Sequence, residues 1–115
     1  MPKERTVNLN GTFYSAGKLL GTDNRGFLYG DSLFETMRVA EGILFWDLHY
    51  DRLRRGAEVL GYHWSEQWTS DFFKYDILRT MKENRLKNGI VRIVMFRNEG
   101  GRYTPLTDNC SYLID

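Results

Sequence analysis

The chain has 115 residues, enough for one core and short for a multi-domain enzyme. Hydrophobic residues make up 42% and aromatics 15%, which excludes a disordered polar segment. Sixteen basic and fifteen acidic residues leave a formal charge of +1 and no basic or acidic block, so neither nucleic acid nor an anionic membrane is indicated as a partner. No apolar run approaches the roughly 20 residues of a membrane span, and residues 1–5 lack the pattern of a signal peptide. The single Cys110 rules out an intrachain disulfide. With only His49 and His63 beside it, zinc-ligand spacing is missing, and a reducing cytoplasm is the expected setting.

The first expected element is a hairpin: Asn10-Gly11 stands between two short extended runs, a two-residue turn signal. Residues 21–32, with three glycines, Asp23, Asn24 and Asp31, are expected as a loop packed through Phe27, Leu28 and Tyr29. A strand follows over 33–39, with Leu33, Glu35, Met37 and Val39 on one face and Phe34, Thr36 and Arg38 on the other. Glu41-Gly42 reads as a turn into a returning strand over 43–46.

Asp47 is placed to cap a helix over 48–60 that ends at Gly61, with Leu53, Ala57 and Leu60 as its apolar stripe. Thr69 or Ser70 can cap a second helix running to about residue 86, buried through Phe73, Ile77 and Met81 and closed by Asn88-Gly89. A strand over 90–96, a loop over 97–109 and a last strand over 111–114 complete the order. The chain stops inside that last strand, which suggests a boundary within a longer protein. Tight turns between strands and grouped helices imply an α+β domain, a largely antiparallel sheet with two helices packed on one face.

Residue chemistry alone supports little more. His49 and His63 have no nucleophile beside them, and Gly100-Gly101 lacks the Gly-Lys-Ser/Thr ending of a phosphate loop. The order of motifs is more specific. Asn24-Arg25-Gly26-Phe27-Leu28-Tyr29-Gly30-Asp31-Ser32-Leu33-Phe34-Glu35 is followed by His49-Tyr50-Asp51-Arg52-Leu53, and then by Arg97-Asn98-Glu99-Gly100-Gly101-Arg102-Tyr103-Thr104-Pro105. This series resembles the signature of class IV aminotransferases, the fold type IV pyridoxal-phosphate enzymes, and runs through most of the chain in the right order. Asn24 stands where Asp is commoner and Ser32 where Gly is commoner, both small polar replacements in a turn.

The resemblance implies that residues 1–115 form the N-terminal domain of such an enzyme, small in size and working on amino-acid or amino-chorismate substrates. It assigns the phosphate of pyridoxal 5'-phosphate to Arg52, whose guanidinium fork suits paired, charge-assisted bonds; Arg54 and Arg55 read as solvated neighbours. His49, one turn earlier, reads as a hydrogen-bonding support, and Glu35 as a group that orients the pocket.

Phe34 falls where some members carry a substrate-facing tyrosine. As phenylalanine it is either a pocket wall or part of the core. Arg97 is either a clamp for the substrate's carboxylate or a strand-end arginine, with Arg102 and Tyr103 as weaker candidates for the clamp. The family's lysine, which bonds covalently to the cofactor and shuttles a proton, belongs to a second domain, and Lys3, Lys18, Lys74, Lys82 and Lys87 stand outside its context. The chain alone is therefore expected to be inactive, the missing C-terminal domain to be its partner, and the whole enzyme to be a homodimer. The rival reading is a non-catalytic binding or interaction module that kept the fold.

Overall fold

The computed structural model describes residues 5–102 and 104–115. Strands β1 (Thr6–Leu9) and β2 (Thr12–Ser15) form the expected hairpin, with Leu9 opposite Thr12. Asn10 and Gly11 both have positive φ, 55° and 91°, which matches the twist of a two-residue hairpin turn. The loop after β2 contains a five-residue helix, α1 (Arg25–Tyr29), that the sequence reading did not anticipate. The Asn24 side chain caps it by accepting from the Phe27 amide at 3.1 Å, and Gly30 ends it in the left-handed region. Its Phe27, Leu28 and Tyr29 are exposed, so the loop does not pack through them.

Strand β3 (Ser32–Val39) alternates as expected: Glu35, Met37 and Val39 are buried, while Phe34, Thr36 and Arg38 are exposed. The returning strand does not form. Only an isolated bridge joins Val39 to Ile43, and helix α2 (Trp46–Leu60) begins where that strand was expected to end. Asp47 lies inside the first turn of α2 rather than capping it; the cap position belongs to Phe45. Gly61 closes the helix as expected, with φ 76°. Its buried stripe is Trp46, Leu53 and Ala57; Leu60 is exposed, so the stripe starts two turns earlier and ends one turn earlier than the spacing implied. Helix α3 (Ser70–Glu83) is capped by Thr69 Oγ1, which accepts from the Phe72 amide at 3.1 Å, and it ends at Asn84, before residue 86.

Strands β4 (Gly89–Arg97) and β5 (Cys110–Ile114) complete a five-stranded antiparallel sheet in the order β2-β1-β5-β4-β3. The fold is thus α+β, with both long helices on one face of the sheet. Phe73, Leu53, Ile77, Ile93 and Met95 are fully buried between them, each contributing about 1.5–3 kcal/mol of transfer free energy. Aromatic rings extend this core. Trp46, Tyr50, Trp64, Trp68, Phe73 and Tyr112 follow one another at centroid distances of 5.1–6.1 Å, mostly tilted or edge-on. Their polar ends are satisfied: Tyr50 Oη and Trp64 Nε1 both donate to the Trp68 carbonyl, and Trp46 Nε1 donates to Ser70 Oγ.

Candidate active site

Edge strand β3 carries the residues around which the candidate site is built. Because side chains alternate along a strand, Glu35 points under α2 while Phe34 points to the face without helices. Glu35 lies under the first turns of α2 and takes partners from two helical positions three residues apart, which share one helix face. Arg52 Nε donates to Oε2 at 2.9 Å and Arg52 Nη2 to Oε1 at 2.8 Å, a two-pronged contact; His49 Nδ1 lies 2.7 Å from Oε1. The Glu35 side chain is 7% exposed and that of Arg52 68%, so the carboxylate is an internal anchor and the guanidinium an outward-facing group.

Burial alone would push the Glu35 carboxyl up. The bonds from Arg52 and His49 outweigh it and hold the group below its ordinary range. The effect of Glu35 on Arg52 is reciprocal, since its carboxylate raises an already strong base. Arg52 is therefore a permanent cation with its fork fixed on one side and Nη1 without a partner among the described residues. It lines an open hollow of about 390 Å³ with Phe45, Leu48, His49 and Arg55. Arg55 was expected to be a solvated bystander. It is exposed, paired with Asp51 at 2.9 Å, and it also borders the hollow.

A phosphate monoester fits this donor set: one oriented guanidinium, a second beside it, and apolar side chains at the rim. Lys18, Lys74, Lys82 and Lys87 are all exposed, and none lines the hollow.

Arg97 has a different setting. The apolar stripe of Val91, Ile93 and Met95 does continue into it, but its side chain is 7% exposed and committed. Nε donates to Asp31 Oδ2 at 2.9 Å, Nη1 to Asp108 Oδ1 at 2.6 Å and to the Thr107 carbonyl, and Nη2 to the Leu60 carbonyl. Arg25 meets the same Asp31 oxygen at 3.1 Å and sends Nη1 to the carbonyls of Gly100, Gly101 and Arg102. Tyr62 Oη donates to the other Asp31 oxygen at 2.8 Å.

Burial pushes the Asp31 carboxyl up, but bonds from Tyr62, Arg25 and Arg97 hold it below its ordinary range. One carboxylate thus joins α1, β4, the end of α2 and the loop over 98–109. The sequence reading missed this cluster. Arg25 and Asp31 stood in the quoted motif, but nothing in their spacing says that they meet Arg97, some 66 residues from Asp31. Tyr103 lies outside the described residues.

Phe34 is 63% exposed on the helix-free face, so it is not a core residue. Its cross-strand partner is Val94, which in turn faces Leu113 on β5. Phe34 and Arg52 therefore flank β3 from opposite faces, and Arg97 sits in the Asp31 cluster. The three candidates do not share one pocket within the described residues.

The comparisons with known proteins converge. Residues 32–114 match the family described as Amino-transferase class IV. A D-alanine aminotransferase of Staphylococcus epidermidis is 30% identical over 98 residues, 84% of this chain and 34% of that protein. Among solved structures, the branched-chain aminotransferase of the archaeon Thermoproteus uzoniensis with norvaline superposes with a TM-score of 0.82 at 20% identity, over 98% of this chain and 40% of that one. The 4-amino-4-deoxychorismate lyase of Pseudomonas aeruginosa gives 0.74 at 23%, over 95% and 38%. The chain spans about a third of the length of the curated relatives and about two fifths of the solved ones. With its five-stranded antiparallel sheet, its two covering helices and a family match over most of its length, the chain belongs to the class IV aminotransferase family.

Proposed function

We propose that this chain is the cofactor-phosphate half of a pyridoxal-phosphate enzyme that moves or eliminates an amino group. In this reading it is completed by a lysine-bearing C-terminal domain and assembled as a homodimer. The observation that carries the proposal is the Arg52–Glu35–His49 arrangement at the mouth of an open hollow. Pyridoxal phosphate, when bound, supplies a ring that accepts electrons from the bond being broken at the substrate. The rest is the work of this chain's side chains. Arg52 holds the phosphate, Glu35 keeps the guanidinium from rotating away, and His49 fixes Glu35 in turn.

Phe34 forms an apolar wall for an amino acid or amino-chorismate on the helix-free face, which the second domain covers. Arg97 acts at one remove: its donors are occupied, so it holds the loop over 98–109 in place instead of gripping the substrate. Membrane residence plays no part in the reading, and no helix among the described residues is long and apolar enough to cross a bilayer.

The test is cofactor retention in the complete enzyme. Arg52→Ala removes an oriented, charge-assisted contact to a doubly charged group and should weaken pyridoxal-phosphate binding roughly 10- to 100-fold. Arg52→Lys should recover part of the loss, since a point charge lacks the fork. Arg54→Ala, exposed and outside the hollow, is the control. Equal retention in wild type and Arg52→Ala would remove the site.

A further inference from the structure

Phe45 occupies a backbone conformation that suits it poorly. Its φ and ψ are 56° and 35°, in the left-handed region, where a side chain brings Cβ against the following carbonyl oxygen and a bulky residue is a genuine outlier. Four non-glycine residues with positive φ occur among the described residues, Asn10, Glu41, Phe45 and Arg85, and Phe45 alone is aromatic.

The cause of the strain is local. Ile43 is pinned by its bridge to Val39, and Trp46 is buried with its indole donating to Ser70, so the chain must reverse between them in two residues. Phe45 makes that reversal, and its carbonyl accepts the first backbone bond of α2, from the His49 amide at 3.0 Å. This starts α2 early enough to set His49 and Arg52 over Glu35. Glycine would serve the backbone better, as Gly61 does at the other end of the helix.

The ring does not account for the choice through packing either. It is 73% exposed and has no place in the core. What it does is border the hollow that Arg52 and His49 line. A side chain that is strained, outside the core of its own domain and at a charged site is a candidate for function, because that core gains nothing from it.

We propose that Phe45 is a positioning residue for the cofactor phosphate, its ring forming an apolar rim that shields the contact between phosphate and Arg52 from water. The proposal rests on the phosphate-site reading above. An apolar group at the edge of an exposed ion pair lowers the local dielectric and reduces screening, so the same guanidinium holds its anion more firmly. Because the contribution is electrostatic, it acts on the phosphate and not on the pyridine ring of the ligand.

The experiment compares Phe45→Ala, Phe45→Gly and Phe45→Leu in the complete enzyme. The measurements are dissociation of pyridoxal 5'-phosphate, dissociation of pyridoxal without phosphate, and the urea midpoint. The Ala and Gly variants should lose roughly 3- to 10-fold in affinity for the phosphorylated ligand, with a steeper salt dependence, and none for pyridoxal. Phe45→Leu should restore part of the loss. Phe45→Gly should fold with an equilibrium constant roughly 5-fold above that of Phe45→Ala, since only glycine relieves the left-handed strain. Unchanged retention in the Ala and Gly variants, or an equal loss for both ligands, overturns the proposal, as does a Gly variant no more stable than the Ala variant. If Arg52→Ala weakens retention while Phe45→Ala does not, only the role of Phe45 fails. If neither does, the phosphate site itself falls.

Discussion

Replacing Asp31 by Asn tests whether one carboxylate holds the loop over 98–109 to the body of the domain. The substitution keeps shape and removes charge. In the native arrangement Asp31, 14% exposed, stands between the Arg25 and Arg97 side chains, 5% and 7% exposed, and accepts from the Tyr62 hydroxyl. Breaking a buried ion pair from one side costs about 3–5 kcal/mol, because the remaining cation is left uncompensated. Here two guanidiniums lose the anion, yet each keeps other acceptors: Asp108 and two carbonyls for Arg97, three carbonyls for Arg25. The Asn carbonyl can also still accept one bond. The expected loss is therefore about 2–4 kcal/mol. With a urea slope of about 2 kcal/mol per molar, the middle of the range for a small domain, the unfolding midpoint should fall by about 1–2 M. Limited proteolysis between residues 97 and 109 should accelerate as well, because the bonds holding that loop depend on the same charge. A midpoint within error of wild type, with the loop equally resistant, would show that the cluster is held by its carbonyl contacts and that Asp31 is dispensable.

Acid should destabilise the domain through the same groups. Glu35 and Asp31 are both held below their ordinary values of 4.5 and 3.8, so their contribution is present above those values and is lost as pH falls through the lowered ones. Equilibrium unfolding followed from pH 6 downward should show stability falling below about pH 4.5, with a shallower fall in a Glu35→Gln, Asp31→Asn double variant; parallel curves would refute the assignment. Cys110 is buried, and burial pushes its thiol up to about 11 against the opposing charge of Arg97, with Asp31 adding a little. A thiol reagent at pH 8 should therefore label the native chain only as fast as it unfolds, and the rate should rise with urea; rapid stoichiometric labelling of the folded protein would contradict the burial.

The turn at Asn10-Gly11, the two faces of β3, the apolar stripe of β4 and the cap at Thr69 were all legible in the residues, and so was the antiparallel α+β class. Each depends on neighbours within a few positions, where strand and helix periods and turn chemistry act. The family resemblance pointed to Arg52 from motif order, as the residue proposed to hold the phosphate. Tertiary contact decided the rest. Residues 43–46 carry strand-like side chains, but burial of Trp46 against Ser70 pulls them into a turn and starts α2 two residues early. Arg97 reads equally as a ligand clamp or a strand end until Asp31, Asp108 and the Leu60 carbonyl are seen to occupy its donors. Glu35 has no visible partner along the chain, because the helix that brings His49 and Arg52 onto it returns across a turn whose course local propensity does not specify. Local structure follows from short-range sterics and periodicity, whereas the pairing of buried charges follows from which elements the core forces together, and that is a property of the whole fold.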